Sequence, residues 1–243
     1  MKIKSKFDEI RSFCQANADE ATVQKYARFF VEGYDAYGLD RKLMEKQRDV
    51  WLREYRNELD FEGFLTLGDL LVQSGKYEEA SFAIGFAASF KGEFTPDVLD
   101  RLGRWLENGI GNWAHTDVFC GEVLSHFITN GIVPVEAFSP WRSSGSKWKR
   151  RAVPVTLIKA LKSDMAISHL FEFISPMMLD SEKVVQQGLG WFLREAWKRH
   201  PEPAEKFLLD WKDSCGRLII RYATEKMDVG KKAQFKRNQS KSR

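Results

Sequence analysis

The 243-residue chain has only three cysteines, and their placement excludes two common uses of this residue. Cys14, Cys120 and Cys215 are odd in number and far apart, and no paired spacing indicates a disulfide framework or a zinc site. Such isolated thiols are typical of proteins that work in a reducing compartment. The sequence therefore predicts a cytoplasmic protein.

Long apolar runs are also missing. The N-terminal sequence MKIKSKFDEIRSF lacks the apolar centre of a secretory signal. No stretch of the chain approaches the roughly 20 apolar residues that are needed to cross a bilayer. We therefore expect no membrane partner.

Neither sign of charge dominates the composition. The chain has 38 Lys and Arg residues and 34 Asp and Glu residues, which gives a net charge of +4. This mild excess permits a polyanionic partner without indicating one. The hydrophobic content of 43% is sufficient for the core of one large domain or of two small ones.

Strand-like alternation is nearly absent, and helical patterns cover most of the chain. Four apolar segments begin at Lys76, Asn112, Lys147 and Lys183, about 35 residues apart, which is the size of a two-helix HEAT-like or tetratricopeptide-like unit. Between them FTPDVLDRLGRWL, VPVEAFSPW and MAISHLFEFI are predicted as partner helices, the first with its start indicated by Pro96. The sequence predicts an all-α fold, an α-solenoid of HEAT-like helix pairs that forms one domain over residues 1–228.

The repeat places several unusual residues near the front of the aligned helices, where they would project onto one concave surface. These residues are Trp113, Asp117, Trp148, Arg151 and Trp191. Each also has a simpler interpretation. A Trp at helical spacing is commonly core, Arg151 fits a solvated charged face, and Asp117 could be an acid favoured by the dipole in the first turn of a helix. Their joint placement favours a binding surface.

Three segments, NWAHTD, SPWRSSGSKWKRRA and GLGWFLREAWKRHP, carry a resemblance to a known family. Over roughly residues 20–215 their order and spacing resemble the bacterial DNA alkylation repair glycosylases of the AlkD-like type, which are HEAT-like α-solenoids. The Trp-x-x-x-Asp motif of that family matches Trp113 and Asp117. The other matching positions are Trp141, Trp148, Arg151, Gly190, Trp191, Leu193, Arg194 and Glu195.

The resemblance implies a DNA glycosylase that removes cationic alkylated purines, such as N3-methyladenine and N7-methylguanine, from double-stranded DNA without flipping the base. It implies a monomer in the bacterial cytosol that associates with the nucleoid when bound to DNA, and it implies neither a metal nor an organic cofactor. A cationic base is already a good leaving group, so the chemistry needs an anion near the sugar rather than a strong acid. Asp117 is the candidate anion, which would stabilise the oxocarbenium-like sugar and position water.

The resemblance also implies roles for other residues. Trp113 and Trp191 would offer π faces to the positive charge of the base and pack against the deoxyribose as part of the catalytic site. Arg151 would bind a backbone phosphate. The remaining predicted DNA contacts are Trp148, Lys147 and Arg194.

Three further features bear on this site. Pro154 favours a late start or a kink in the helix that carries Arg151. An N-terminal tyrosine is expected in the cleft, and Tyr26, Tyr34 and Tyr37 are the candidates. His115, beside Asp117, is expected at the surface rather than in catalysis.

Two alternatives to the glycosylase stay open. One is a catalytically silent DNA-binding relative, which the presence of Asp117 disfavours, and the other is a peptide-binding scaffold. The basic C-terminal segment 229–243 lacks a sustained apolar period, and we expect it to be a disordered tail. It could instead add weak, salt-sensitive attraction to DNA phosphates.

Overall fold

The computed structural model describes residues 2–237, and this part of the chain contains α-helices, shorter 3₁₀ and π segments and no β-strand. The predicted all-α fold class is thereby confirmed. The helices group into two compact units, Met1–His126 and Phe127–Arg243. The prediction of one continuous domain over residues 1–228 stays a prediction. None of the helices described has the length and apolarity that a membrane span requires.

The first unit is built from seven complete helices and the start of an eighth. They are α1 Lys2–Ala16, α2 Glu20–Ala27, α3 Arg41–Tyr55, α4 Phe61–Gln73, α5 Tyr77–Ala88, α6 Pro96–Trp105, α7 Trp113–Phe119 and α8 Ser125–Thr129. A 3₁₀ turn, Lys91–Glu93, precedes α6, and a π-helical turn, Cys120–Leu124, joins α7 to α8.

The core of the first unit lies where α4 and α5 pack against each other and against α1 and α3. Large aromatic side chains fill it. Trp51 meets Phe82 with ring centroids 5.1 Å apart, and Phe64 meets Phe86 at 5.5 Å, both edge to face. Burial of such a side chain stabilises the fold by roughly 2–3 kcal/mol, so this aromatic layer accounts for much of the unit's cohesion.

Two adjacent carboxylates at the start of α5 are buried in the same unit, and together they bind two other segments of the chain. Glu79 accepts two hydrogen bonds from the Arg11 guanidinium, at 3.0 and 3.1 Å, and one from the Tyr37 hydroxyl at 2.8 Å. Glu78 accepts from the backbone amides of residues 37–39, at 2.8, 2.7 and 3.2 Å. The two side chains therefore fix both α1 and the irregular segment before α3 onto α5.

The second unit, as far as Arg237, contains six further helices. They are α9 Lys147–Ala160, α10 Ile167–Ile174, α11 Lys183–Arg199, α12 Pro201–Trp211, α13 Arg217–Ala223 and α14 Val229–Gln234, with 3₁₀ segments over Val135–Ser143 and Ser175–Leu179. The first of these 3₁₀ segments replaces the predicted helix VPVEAFSPW. Pro140 lies inside it, and a proline lacks the N–H that an α-helix would use, so a tighter 3₁₀ turn forms instead.

Helix α11 packs between α9 and α13, and a glycine allows the close approach on each side. A Cβ at Gly188 would lie 3.3 Å from Cγ of Arg151 on α9, and one at Gly190 would lie 2.5 Å from Cβ of Tyr222 on α13. The second distance leaves no room for a side chain. Gly190 is therefore required for the packing of α11 against α13, because a larger residue would separate these two helices.

Helix α9 does not show the late start that Pro154 suggested. It begins at Lys147, where the Ser146 hydroxyl accepts from the Lys149 amide at 3.3 Å, and it continues through Pro154 to Ala160. The side-chain cap fixes the start of the helix independently of the proline. Arg151 consequently lies in the second turn of a helix that is already established.

The beginning of the C-terminal segment is ordered, contrary to the expected disordered tail. Asp228 caps α14 by accepting from the Lys231 amide at 2.8 Å, Phe235 is buried, and the Arg237 guanidinium donates to the backbone carbonyls of Lys212 and Cys215. One buried phenylalanine and helix-end hydrogen bonds are sufficient to hold a segment that has no apolar period. Residues 238–243 of the predicted tail lie outside the described part of the chain.

Candidate functional site

Helix α7 carries the first two candidate residues on one face. The helix begins at Trp113, because the Asn112 side chain accepts from the His115 amide at 2.8 Å, and Asp117 follows one turn later. Trp113 is 44% exposed and Asp117 is partly exposed. The core interpretation of Trp113 is therefore wrong. The helix-dipole interpretation does not fit Asp117 either, since it lies beyond the first turn.

The indole of Trp113 is held by two residues that the sequence did not single out, in the segment that carries the candidate tyrosines. Its Nε1–H donates to the carbonyl oxygen of Phe29 at 3.1 Å, and its ring stacks on Phe30 with centroids 5.9 Å apart and planes inclined by 17°. The sequence signal for these contacts is the aromatic density of YARFFVEGYDAY, which indicates a cluster but not its partner.

The three candidate tyrosines separate clearly by environment. Tyr37 donates to the buried Glu79 at 2.8 Å and belongs to the packing of α5. Tyr34 stacks on Phe30 at 4.5 Å and so lies two rings from Trp113, whereas Tyr26 is exposed on α2. Tyr34 is thus the tyrosine that the described contacts connect to α7.

His115 is buried, 4% exposed, and not at the surface as expected. The Asn112 Oδ1 atom already accepts from the His115 amide, so the Asn112 amide nitrogen donates to Nδ1 at 2.9 Å. Ser81 donates its hydroxyl to the Tyr77 carbonyl, so its oxygen accepts from Nε2–H of His115, also at 2.9 Å. The imidazole is therefore neutral and protonated on Nε2, and it anchors α7 to α5.

Burial lowers the pKa of His115 to about 4, although its backbone contact at Tyr77 acts in the opposite direction. The ring also stacks on Tyr77 with centroids 4.1 Å apart. A neutral imidazole with both nitrogens engaged inside the protein is not available as a general acid or base at neutral pH. His115 has a structural role in holding the helix that presents Trp113 and Asp117.

The remaining candidates lie in the second unit, on α9 and α11. Trp148 is 8% exposed, and Nζ of Lys147 lies 5.5 Å from its ring centroid. Lys147 itself is partly exposed at the first position of α9. The core interpretation holds for the indole of Trp148, and binding of a phosphate by Lys147 stays a prediction.

Arg151 is 5% exposed, and one of its terminal nitrogens donates to the backbone carbonyl of Val184 at 2.6 Å. The solvated-face interpretation of this residue is therefore wrong. The contact ties α9 to the first turn of α11 in the second unit, where Gly188 also packs against Arg151. Binding of a backbone phosphate by Arg151 stays a prediction.

Trp191 and Arg194 lie on α11 and differ in their surroundings. Trp191 is partly exposed, as a ligand-contacting indole requires. Arg194 forms ion pairs with Glu195, at 3.1 Å, and with Glu225. Its charge is therefore largely compensated within the second unit, which weakens its predicted DNA contact.

Two other arginines of the basic motif are used internally. Arg142 donates to the carbonyl oxygen of Phe173 at 2.9 Å, and its guanidinium lies 4.6 Å from the ring centroid of that residue. Arg150 pairs with Asp180 at 2.6 Å and donates to the carbonyl oxygen of Ser144 at 2.7 Å. Part of the positive charge in SPWRSSGSKWKRRA therefore stabilises the second unit instead of remaining available to a ligand.

Comparisons with known proteins agree with the motifs. A family model described as DNA alkylation repair enzyme matches residues 10–227. The fold is similar to that of a predicted DNA alkylation repair enzyme from Enterococcus faecalis, with a TM-score of 0.76 at 15% identity, over 88% of this chain and 98% of that one. It is also similar to AlkD2 from Streptococcus mutans, with a TM-score of 0.58 at 18% identity, over 86% and 99% of the two chains.

A third similar structure is that of smu.31 from Streptococcus mutans UA159, with a TM-score of 0.57 at 18% identity, over 85% of this chain and all of that one. No curated protein sequence matches the chain. At such low identities the structural likenesses establish the fold alone. They confirm the predicted HEAT-like class.

Proposed function

The chain belongs to the DNA alkylation repair enzyme family, and we propose that it is a DNA glycosylase that excises cationic alkylated purines from double-stranded DNA. The observation that carries the proposal is the pair formed by Asp117 and Trp113 on one face of α7, a carboxylate and a partly exposed indole one turn apart. Neither side chain is buried. Both suit a ligand that carries positive charge.

The reaction requires little from the protein beyond charge stabilisation. Alkylation at N3 or N7 leaves the purine positively charged, so the N-glycosidic bond breaks with its electron pair moving to the base, which departs neutral. Positive charge then develops on the sugar, and water adds at its anomeric carbon with loss of a proton. We propose that the Asp117 carboxylate stabilises this charge and orients the water.

Trp113 suits recognition of a cation because of how its polar group is used. The Nε1–H bonds to the Phe29 carbonyl, so the group that the indole offers to a ligand is its π surface. A cation–π contact contributes roughly 0.5–2 kcal/mol, depending on desolvation. Trp191, partly exposed on α11, is proposed for the same kind of contact.

Lys147 and Arg151 are proposed as contacts to the DNA backbone. Trp148 is proposed to support Lys147 from the core rather than to contact DNA. We do not include Arg194, because Glu195 and Glu225 already pair with it.

The deciding experiment is single-turnover excision from a duplex that carries one N7-methylguanine. Asp117→Asn keeps the shape and removes the charge, and we expect base release to fall at least about tenfold, which corresponds to roughly 1.4 kcal/mol of transition-state stabilisation. Asp100→Asn is the matched control, since this aspartate is exposed on α6 of the same unit. Excision at the parent rate by the Asp117 variant, or no excision by the parent protein, would contradict the proposal.

A further inference from the structure

Trp113 is held by two consecutive residues of the segment after α2. The Phe29 carbonyl binds its N–H at 3.1 Å, and the Phe30 ring lies nearly parallel to the indole, with centroids 5.9 Å apart and planes inclined by 17°. A hydrogen bond in the ring plane together with a stack on one face determines the orientation of an indole. Because Phe30 occupies one face, the exposed area of Trp113 lies on the rest of the ring.

Phe30 is itself fixed from behind by other rings. It stacks on Tyr34, with centroids 4.5 Å apart and planes inclined by 12°, and it meets the edge of Tyr77 at 5.5 Å. Tyr77 in turn stacks on His115. Phe30 and Tyr77 therefore connect two side chains of α7, Trp113 and His115, through ring contacts. These contacts fix the position of Phe30 relative to α7.

We infer that Phe30 is a positioning residue for lesion recognition, because it supports the Trp113 indole so that the opposite face receives the cationic base. This inference rests on the proposed glycosylase function. Phe30 contacts Trp113 and not the base or the sugar. It acts by keeping the indole of Trp113 in the orientation in which its π density faces the positive charge. The entropy cost of ordering the ring is then not added to the cost of binding the base.

The first test compares two substitutions of Phe30 with a matched control. Phe30→Leu keeps an apolar side chain but removes the stacked ring, and Phe30→Tyr keeps the ring. Phe90→Leu is the control, since it removes a ring that contacts Phe64 at 4.7 Å elsewhere in the same unit. We expect Phe30→Leu to slow single-turnover excision of N7-methylguanine about two- to tenfold, which corresponds to the contribution of one aromatic pair. The affinity for undamaged duplex should not change.

Phe30→Tyr and Phe90→Leu should excise at close to the parent rate. Equal slowing by Phe90→Leu and Phe30→Leu would show that the effect is general destabilisation and would overturn the inference. So would a parent rate in Phe30→Leu. A parallel loss of affinity for undamaged duplex would place Phe30 in DNA binding instead and would equally overturn it.

A second readout separates this inference from the proposed function. The fluorescence of Trp113 is obtained as the difference between each protein and the same protein with Trp113→Phe, and its quenching by acrylamide measures access to the indole. We expect Phe30→Leu to increase this quenching and Phe30→Tyr to leave it unchanged. Unchanged quenching in Phe30→Leu refutes positioning by Phe30 whether or not the parent is a glycosylase, whereas an inactive parent with increased quenching refutes only the glycosylase.

Discussion

Replacing His115 with glutamine should abolish a specific loss of stability in acid. In the native protein the imidazole is neutral, because Nδ1 accepts from Asn112 and Nε2–H donates to Ser81 inside the first unit. Glutamine keeps a donor near the position of Nε2 but cannot take up a proton. The comparison of parent and variant therefore isolates protonation from the packing of the side chain.

The magnitude follows from the pKa of His115, about 4 in the folded protein against an ordinary value of 6.5. Because the folded pKa is the lower one, the unfolded chain binds the proton more tightly. The contribution of His115 is therefore complete above about pH 6.5 and is lost as the pH falls toward 4. Linkage gives a loss of about 2 kcal/mol at pH 5 and about 3 kcal/mol below pH 4.

The measurement is urea unfolding of both proteins at pH 8, 6.5 and 5. We expect the free energy of unfolding of the parent to fall by about 2 kcal/mol more than that of His115→Gln between pH 8 and pH 5. Since His115 anchors the helix that carries Trp113 and Asp117, acid should also lower base excision by the parent before the whole unit unfolds. Parallel pH profiles for the two proteins would refute the buried neutral imidazole.

Three further outcomes are expected. Arg151→Ala should weaken binding to damaged and undamaged duplexes alike. It should also reduce the slope of log affinity against log salt concentration by about the amount that one phosphate contact contributes. An unchanged slope would show that Arg151 serves only its hydrogen bond with Val184. Single-turnover assays should show release of cationic alkylpurines but not of neutral uracil or hypoxanthine, because the proposed site supplies no strong acid. Rapid release of uracil would exclude this mechanism. Glu79→Gln should lower the free energy of unfolding by about 2 kcal/mol in a urea titration. This loss is smaller than for a fully buried ion pair, because Arg11 is partly exposed. A change near zero would show that the Arg11–Glu79 pair does not stabilise the fold.

The regular part of this fold could be predicted from the sequence because local and tertiary preferences agree there. Helices α5, α7, α9 and α11 begin within about one residue of the predicted segment starts, and α6 begins at Pro96 as its sequence indicated. Apolar periodicity and helix-start residues act over a few neighbouring positions, so they can be recognised without knowledge of contacts.

The errors arise where a distant partner decides the environment of a residue. Phe235 becomes buried and orders a segment whose composition indicates disorder, while His115 finds a hydrogen-bond partner in Ser81, 34 residues earlier in the chain, that no local pattern reveals. The basic motif shows the same effect, because Arg150 is paired by Asp180, which lies 30 residues further along the chain. The spacing of the residues and the family resemblance could identify Trp113 and Asp117 as candidates but could not reveal the support from Phe30.

The buried Glu78 and Glu79 carry a consequence for proteolysis and truncation. Most apolar interfaces weaken gradually as a terminal segment is shortened. Removal of α1 would instead take away Arg11 and leave Glu79 without its cation in a site that water does not reach. Cleavage after the first helix should therefore loosen the start of α5 and, through the Glu78 contacts, the segment that holds Phe30. We therefore expect an intact N-terminal helix to be required for the correct orientation of Trp113, although the two are far apart in the sequence.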